Sequence, residues 1–274
     1  MDAAEIARLA NHRRADVITM IHRAGAGHIG GALSALDILS VLYYDVLKLR
    51  PQNPRWPDRD RFLLSKGHSV EGYLALLADR GFFPAEELRT FSQAGSRLIG
   101  HPNNKVPGVE ICTGALGHGL SVGVGMALGA KRGGEAFRTY VLMGDGELAE
   151  GSVWEAAMAG AHYGLDNLSA IIDRNGLQIS GNTESVMALE DLSAKWRAFG
   201  WDVAEADGHD IPALLQYFHG LQPKGKPHCL IANTIKTKGL PFAENDPGWH
   251  HKAPNASQLQ AGYRALGVKE VAWA

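Results

Sequence analysis

Short apolar runs alternate with amphipathic stretches along most of the chain. Residues 3–23 put Ile6, Leu9, Ala10, Val17 and Ile21 on one side of a helix, which Gly25 and Gly27 end. A second helix is expected from a Ser34 cap to about Leu47, stopped by the proline-rich connection 51–57. Apolar runs at 61–64, 140–143, 168–172, 201–206 and 228–235 read as strands. Helical patterns cover 70–80, 85–91, 121–131, 152–163, 189–199 and 210–221, and 95–109 is a long polar loop. Strands alternating with helices at this spacing predict an α/β fold, a mainly parallel sheet with helices on both faces. One domain is expected over residues 1–255, followed by a C-terminal tail, 256–274, with a short helix and a weakly attached end.

The most informative stretch is 140–178. A strand stops at Gly144-Asp145-Gly146, a helix follows, and the next strand stops at Asp173-Arg174-Asn175. A right-handed crossover makes the two strands parallel, so Asp145 and Asn175 emerge together at the carboxyl edge, where open α/β sheets bind ligands. Taken alone, Gly-Asp-Gly is an ordinary tight turn. With Asn175 at the next strand end the pair is more specific, because a carboxylate and an amide oxygen among glycines suit a hard divalent cation shared with phosphate oxygens and water.

Composition narrows the partners. An apolar fraction of 45% and a charged fraction of 20% are those of a soluble globular protein. A formal net charge of -2 leaves no footprint for nucleic acid or an anionic membrane, so neither partner is expected. No run reaches the roughly 20 apolar residues of a membrane span, and the amino terminus mixes acids and bases unlike a signal peptide. Cys112 and Cys229 have no cysteine or histidine at metal spacing and are expected to be reduced, buried core residues of a cytoplasmic protein.

The histidines add chemistry. His28, His68, His101, His118, His250 and His251 all fall in glycine- or proline-rich loops. Loops on a rigid scaffold carry function, and imidazoles can donate, accept or shuttle protons on a polyhydroxylated substrate. A single loop histidine is usually just solvated; so many together point to a site. A zinc reading is poor for want of soft ligands, and neither G-x-G-x-x-G after the first strand nor G-x-x-x-x-G-K-[ST] is present.

The spacing from Gly-Asp-Gly to Asn175 resembles the thiamine diphosphate motif, and the chain from about residue 10 to about 255 resembles the amino-terminal half of a transketolase. The motifs that carry the resemblance stand in order: GHIGG at His28, SKGHS at His68, GHP at His101, TGALGHG at Gly114 to Gly119, GDG with DRNGLQISG, and WHHKAP at His250. Ile29 and Ala115 stand where fuller enzymes of the family have proline, and His118 and His251 where they have glutamine and glycine. GALGHG is similar to the split, two-gene members.

The resemblance implies thiamine diphosphate and Mg²⁺ or Ca²⁺ as cofactors, the metal held by Asp145, Asn175 and the Leu177 carbonyl. It implies that Gly144, Gly146, His68 and His250 contact the diphosphate, that Gly114, Leu116 and Ile179 line the cofactor's rings, and that His28, His101 and His250 surround the sugar. It places Glu150 and Glu155 at a subunit interface between two cofactors, although a helix-start acid and a helix-surface acid are the ordinary reading of both. One α/β array is present, so the glutamate that activates the cofactor's pyrimidine is expected on a separate partner chain in an α2β2 heterotetramer. The activity implied is transfer of a two-carbon ketol unit from a ketose phosphate to an aldose phosphate. Another thiamine diphosphate enzyme, a 2-oxo acid decarboxylase or deoxyxylulose phosphate synthase type, is the alternative, and a non-catalytic interaction protein of the same fold is the third.

Overall fold

A computed structural model describes all 274 residues. The chain opens with α1 (Ala3–Ala24), whose Asp2 cap accepts from the Glu5 N–H and whose end turns left-handed at Gly25. α2 (Ile29–Ser34) and α3 (Leu36–Val41) follow and run into a π-helical turn, Leu42–Val46. Then come β1 (Arg61–Leu64), α4 (Val70–Asp79), α5 (Gly119–Gly133), β2 (Thr139–Gly144), α6 (Gly151–His162) and β3 (Leu168–Arg174). A small hairpin, β4 (Leu177–Gln178) with β5 (Gly181–Asn182), leads to α7 (Thr183–Val186). α8 (Leu192–Ala198), β6 (Asp202–Asp207), α9 (Ile211–His219), β7 (His228–Asn233) and α10 (Ala256–Leu266) complete it.

The main sheet has the order β1-β2-β3-β7-β6, every neighbouring pair parallel. Successive side chains leave a strand on opposite faces, and here both faces are covered. Phe62, Leu64, Tyr140, Leu142, Ile171 and Leu230 join the larger core, built with α1, α3, α4 and α9. Leu63, Val141, Met143, Ala170, Ile172 and Ile231 join the second, under α5, α6 and α8. Continuous apolar runs therefore mark strands buried on both sides, where truncating a Leu or Ile to Ala costs about 2–5 kcal/mol.

The expected fold class holds, with local corrections. Ser34 does not cap a helix; α2 begins earlier, after His28, because Ser34 turns inward and donates to the Asp173 carboxylate at 2.6 Å. Helix α8 starts at Leu192, where the Asp191 side chain caps it. Cys112 is exposed rather than buried, since it lies on the glycine-dense loop and not in the sheet, whereas Cys229 is buried in β7. The end of the chain is well attached: α10 packs on α1, Val268, Val271 and Trp273 are buried, and the Trp273 indole donates to Asp16 at 2.7 Å. No helix is long and apolar enough to cross a membrane.

Candidate active site

Four strand ends deliver the site to one edge. β1 runs into Ser65–Ser69, β2 into Gly144–Gly146, β3 into Asp173–Leu177 and β7 into Thr234–Lys236, and the Ser65 N–H still bonds the Leu142 carbonyl at 2.9 Å. They open onto a cavity of about 380 Å³ whose walls include His28, His68, His101, Gly114, Leu116, Gly144, Asp145, Gly146, Asn175, Leu177, Ile179 and His250. These are all the expected site residues except Glu150 and Glu155, which are exposed on the turn before α6 and on α6 itself. His118 also stays outside, exposed, its Nδ1 2.9 Å from the Leu116 carbonyl.

Buried charges that the motifs do not disclose form the floor. Lys66, 1% exposed, donates to the Gly31 carbonyl at 2.9 Å and pairs with Asp173, itself fully buried. Burial alone would raise the Asp173 carboxyl, but the Lys66 ammonium and hydrogen bonds from Lys66, Ser34 and Thr234 hold it below the usual range. Glu147 ties three motifs together: it accepts from the Ser65 hydroxyl, from the Gly117 N–H at 2.9 Å and from the Gly144 N–H at 3.2 Å. Gly119 lets the loop sit this close, since a Cβ there would lie 2.4 Å from the Ser65 hydroxyl. Lys236 reaches the cavity from beyond β7, its pKa lowered by burial and then by Lys66 to about 8.

Four imidazoles gather around His28. Its ring lies 5.4 Å from His68, 6.0 Å from His101, 5.7 Å from His250 and 4.5 Å from His251, centroid to centroid. Residue His250 faces the cavity, whereas His251 is exposed and packs edge-on against His28. Burial, reinforced by neighbouring cations, lowers the pKa of His28 to about 4, of His68 to about 2 and of His250 to about 3; burial lowers that of His101 too. At neutral pH these rings are therefore uncharged hydrogen-bonding groups. The Lys236 ammonium is a donor only, and it lies 3.1 Å from His250 Nδ1; that nitrogen accepts, so Nε2 carries the proton.

The oxygen set around Asp145 suits a hard dication. Asp145, Asn175 and the Leu177 carbonyl offer carboxylate, amide and backbone oxygens. The Asp145 carboxyl is raised by burial and by Asp173, against the Gly176 N–H and Arg174, so a cation beside it would relieve the repulsion. Leu177 O already receives the Lys236 ammonium at 3.1 Å, and Gln178 Oε1 is buried without a partner on the same wall. Gly146 leaves no room for a side chain: a Cβ there would meet Gln178 at 2.9 Å. Such a cradle, with neutral imidazoles around it and the Gly146 N–H donating to Asp145 Oδ1 at 2.8 Å, fits a metal-bound diphosphate.

Lys66, Lys236, Asp173 and Glu147 are the residues that sequence reasoning missed. Their signal was present in part: Ser65-Lys66-Gly67 directly continues a strand, and Thr234-Ile235-Lys236 continues another.

Comparison with known proteins identifies the family of the chain. Residues 6–273 match the family model described as transketolase, thiamine diphosphate binding domain. The chain is 48% identical over 270 residues to one of the subunits of the apulose-4-phosphate transketolase of Phocaeicola vulgatus, covering 98% of this chain and 95% of that protein. It is 41% identical to the 6-deoxy-6-sulfo-D-fructose transketolase subunit of a Clostridium species, covering 88% of this chain and 89% of the relative. Among solved structures, the transketolase of Campylobacter jejuni superposes with a TM-score of 0.94 at 31% identity, covering 98% of this chain. This chain spans 44% of that one.

Proposed function

The chain belongs to the transketolase thiamine diphosphate-binding family, and from that premise we propose that it is the amino-terminal, diphosphate-binding subunit of a two-chain transketolase. One observation carries the reading: the oxygen set of Asp145, Asn175 and Leu177 shares a cavity with neutral His28, His68, His101 and His250. A metal and diphosphate site alone would serve many thiamine enzymes. The ring of uncharged imidazoles adds a surface for sugar hydroxyls, which favours ketol transfer over oxo acid decarboxylation.

Asp145, Asn175 and the Leu177 carbonyl would hold Mg²⁺ or Ca²⁺, and Gly144, Gly146, His68 and His250 would contact the diphosphate. Gly114, Leu116 and Ile179 would flank the rings of the cofactor. Thiamine diphosphate, when bound, supplies the electron sink for cleaving and forming the ketol carbon–carbon bond. His28, His101 and the Nε2–H of His250 orient the ketose and exchange hydrogen bonds with its oxygens. Lys66 is paired with Asp173, which leaves the Lys236 ammonium as the cation facing an anionic ligand.

Ile179 is 75% exposed and Met187, nearby on the chain, 60%. Apolar rim residues of this kind need a covering surface, and the partner chain, carrying the pyrimidine half and its activating glutamate, supplies it in an α2β2 assembly. Glu150 and Glu155 lie on that interface between cofactors; unchanged turnover and unchanged, independent sites in Glu150→Gln would refute their role. The assembly transfers a two-carbon unit between sugar phosphates in the cytoplasm. The donor panel for its assay includes apulose-4-phosphate and 6-deoxy-6-sulfo-D-fructose, for which the relatives are named, beside pentose phosphates. Calorimetric titration of the chain with thiamine diphosphate, with and without Mg²⁺, tests the binding half of this reading. Metal-dependent binding is expected, and heat that ignores the metal would contradict it.

A further inference from the structure

We infer that Glu71 is a positioning residue for His28: its buried carboxylate fixes the peptide unit from which the His28 imidazole is presented to the sugar. The inference rests on the sugar-facing role proposed for His28.

Glu71 sits in the first turn of α4, where acids are usually solvated, yet it is 0% exposed. It pairs with no cation. Its Oε1 accepts the His28 N–H at 2.7 Å, and its Oε2 is buried without a partner. Burial raises the carboxyl to about 7. A buried acid with one bond and one orphaned oxygen is unfavourable for folding, so stability does not account for it.

The single bond it makes has a specific object. His28 N–H belongs to the same peptide unit as the Gly27 carbonyl, and that carbonyl accepts the Lys252 N–H at 3.1 Å. Both polar atoms of one peptide are thus held, one from the helix that follows His68 and the other from the loop that carries His250 and His251. Gly27 permits the approach, since a Cβ there would lie 2.8 Å from Glu71 Oε1 and 2.6 Å from Ile21. The His28 side chain makes no cap for α2, which leaves the imidazole free at the centre of the cluster. Rotating this peptide would swing the ring away from His68, His101 and His250 together, and small misplacements of an orienting group are expensive in rate.

The test compares Glu71→Gln, which keeps the acceptor, with Glu71→Met, which keeps the volume and removes it, in the two-chain enzyme. Glu71→Gln should retain kcat/KM for the ketose donor within about threefold, and Glu71→Met should lose at least about tenfold. The Met variant should bind thiamine diphosphate as before and unfold at no lower temperature, which separates positioning from folding. If Glu71→Met does not fold, Glu71→Asp, whose carboxylate is withdrawn by one methylene, makes the same comparison. Wild-type-like turnover in the Met or Asp variant, or a Gln variant as impaired as they are, overturns the inference. An inactive wild-type pair would instead refute the proposed function. Nitrogen-15 histidine spectra of the single chain then decide the point: His28 ring signals should move in the Met variant and not in the Gln variant, and unmoved signals in both overturn it.

Discussion

The ammonium of Lys236 donates to the carbonyl oxygen of Leu177 at 3.1 Å, and the same nitrogen lies 3.1 Å from His250 Nδ1. One cation thus joins the loop after β7, the turn after β3 and the histidine cluster. Replacing it by Met removes a charge-assisted donor worth about 1.5–3 kcal/mol. Lys236→Met should therefore bind thiamine diphosphate with Mg²⁺ at least about tenfold more weakly by calorimetry. Unchanged affinity would show that Lys236 serves only the fold.

Asp145 separates binding from stability. Its carboxylate is buried near Asp173 and is raised by both burial and that neighbour. Asp145→Asn removes the repulsion but turns an NH2 toward either the Gly146 N–H or the Arg174, Gly176 and Thr183 donors, so the unfolding temperature should fall modestly. Metal-dependent cofactor binding should fall about a hundredfold, because a neutral amide replaces the one anionic donor for a hard cation. A variant that loses stability yet keeps metal-dependent binding would contradict the assignment.

Glu147 is a structural counterpart. It gathers the Ser65 hydroxyl and the Gly117 and Gly144 N–H groups in a nearly dry environment. Glu147→Ala strands these donors, and each buried unpaired group costs about 1–3 kcal/mol. Denaturant unfolding should register a loss of about 3 kcal/mol or more, larger than for replacement of exposed Glu155.

The histidines make stability depend on pH. The pKa of His68, lowered by burial and by Lys66, is about 2 in the fold and 6.5 when free. A depressed pKa means the unfolded chain binds the extra proton first, so stability is fully present above pH 6.5 and declines as pH falls from there toward 2. Asp16 and Glu71, raised mainly by burial to about 6 and about 7, act in the opposite sense. The check is therefore a difference: between pH 7.5 and pH 5, about the window of histidine titration, wild type should lose more unfolding temperature than His68→Asn. Equal losses would mean that His68 titrates normally.

Much of this was legible in the residues. Continuous apolar runs disclosed strands buried on both faces, and glycine at their ends disclosed where Asp145, Asn175 and His68 would emerge. The hairpin Leu177–Gln178 with Gly181–Asn182 was not legible, being two residues a side and set by local turns. Lys66 and Asp173 were missed because each alone reads as a surface charge; only the parallel register of β1, β2 and β3 puts them together. Ser34 misled for a related reason: a serine before a helical pattern is a cap by local rule, and here Asp173, far along the chain, claims its hydroxyl. Glu71 gave no signal, since its partner is a backbone N–H contributed by a distant loop.

The central claim is that this chain holds the diphosphate and metal half of a ketol-transfer site and requires a partner chain to complete it. Transfer of a two-carbon unit from a ketose phosphate to an aldose phosphate, measured with the purified chain alone, the partner alone and the two mixed, tests it most directly. Turnover should arise only in the mixture. Full turnover by this chain alone would contradict the account.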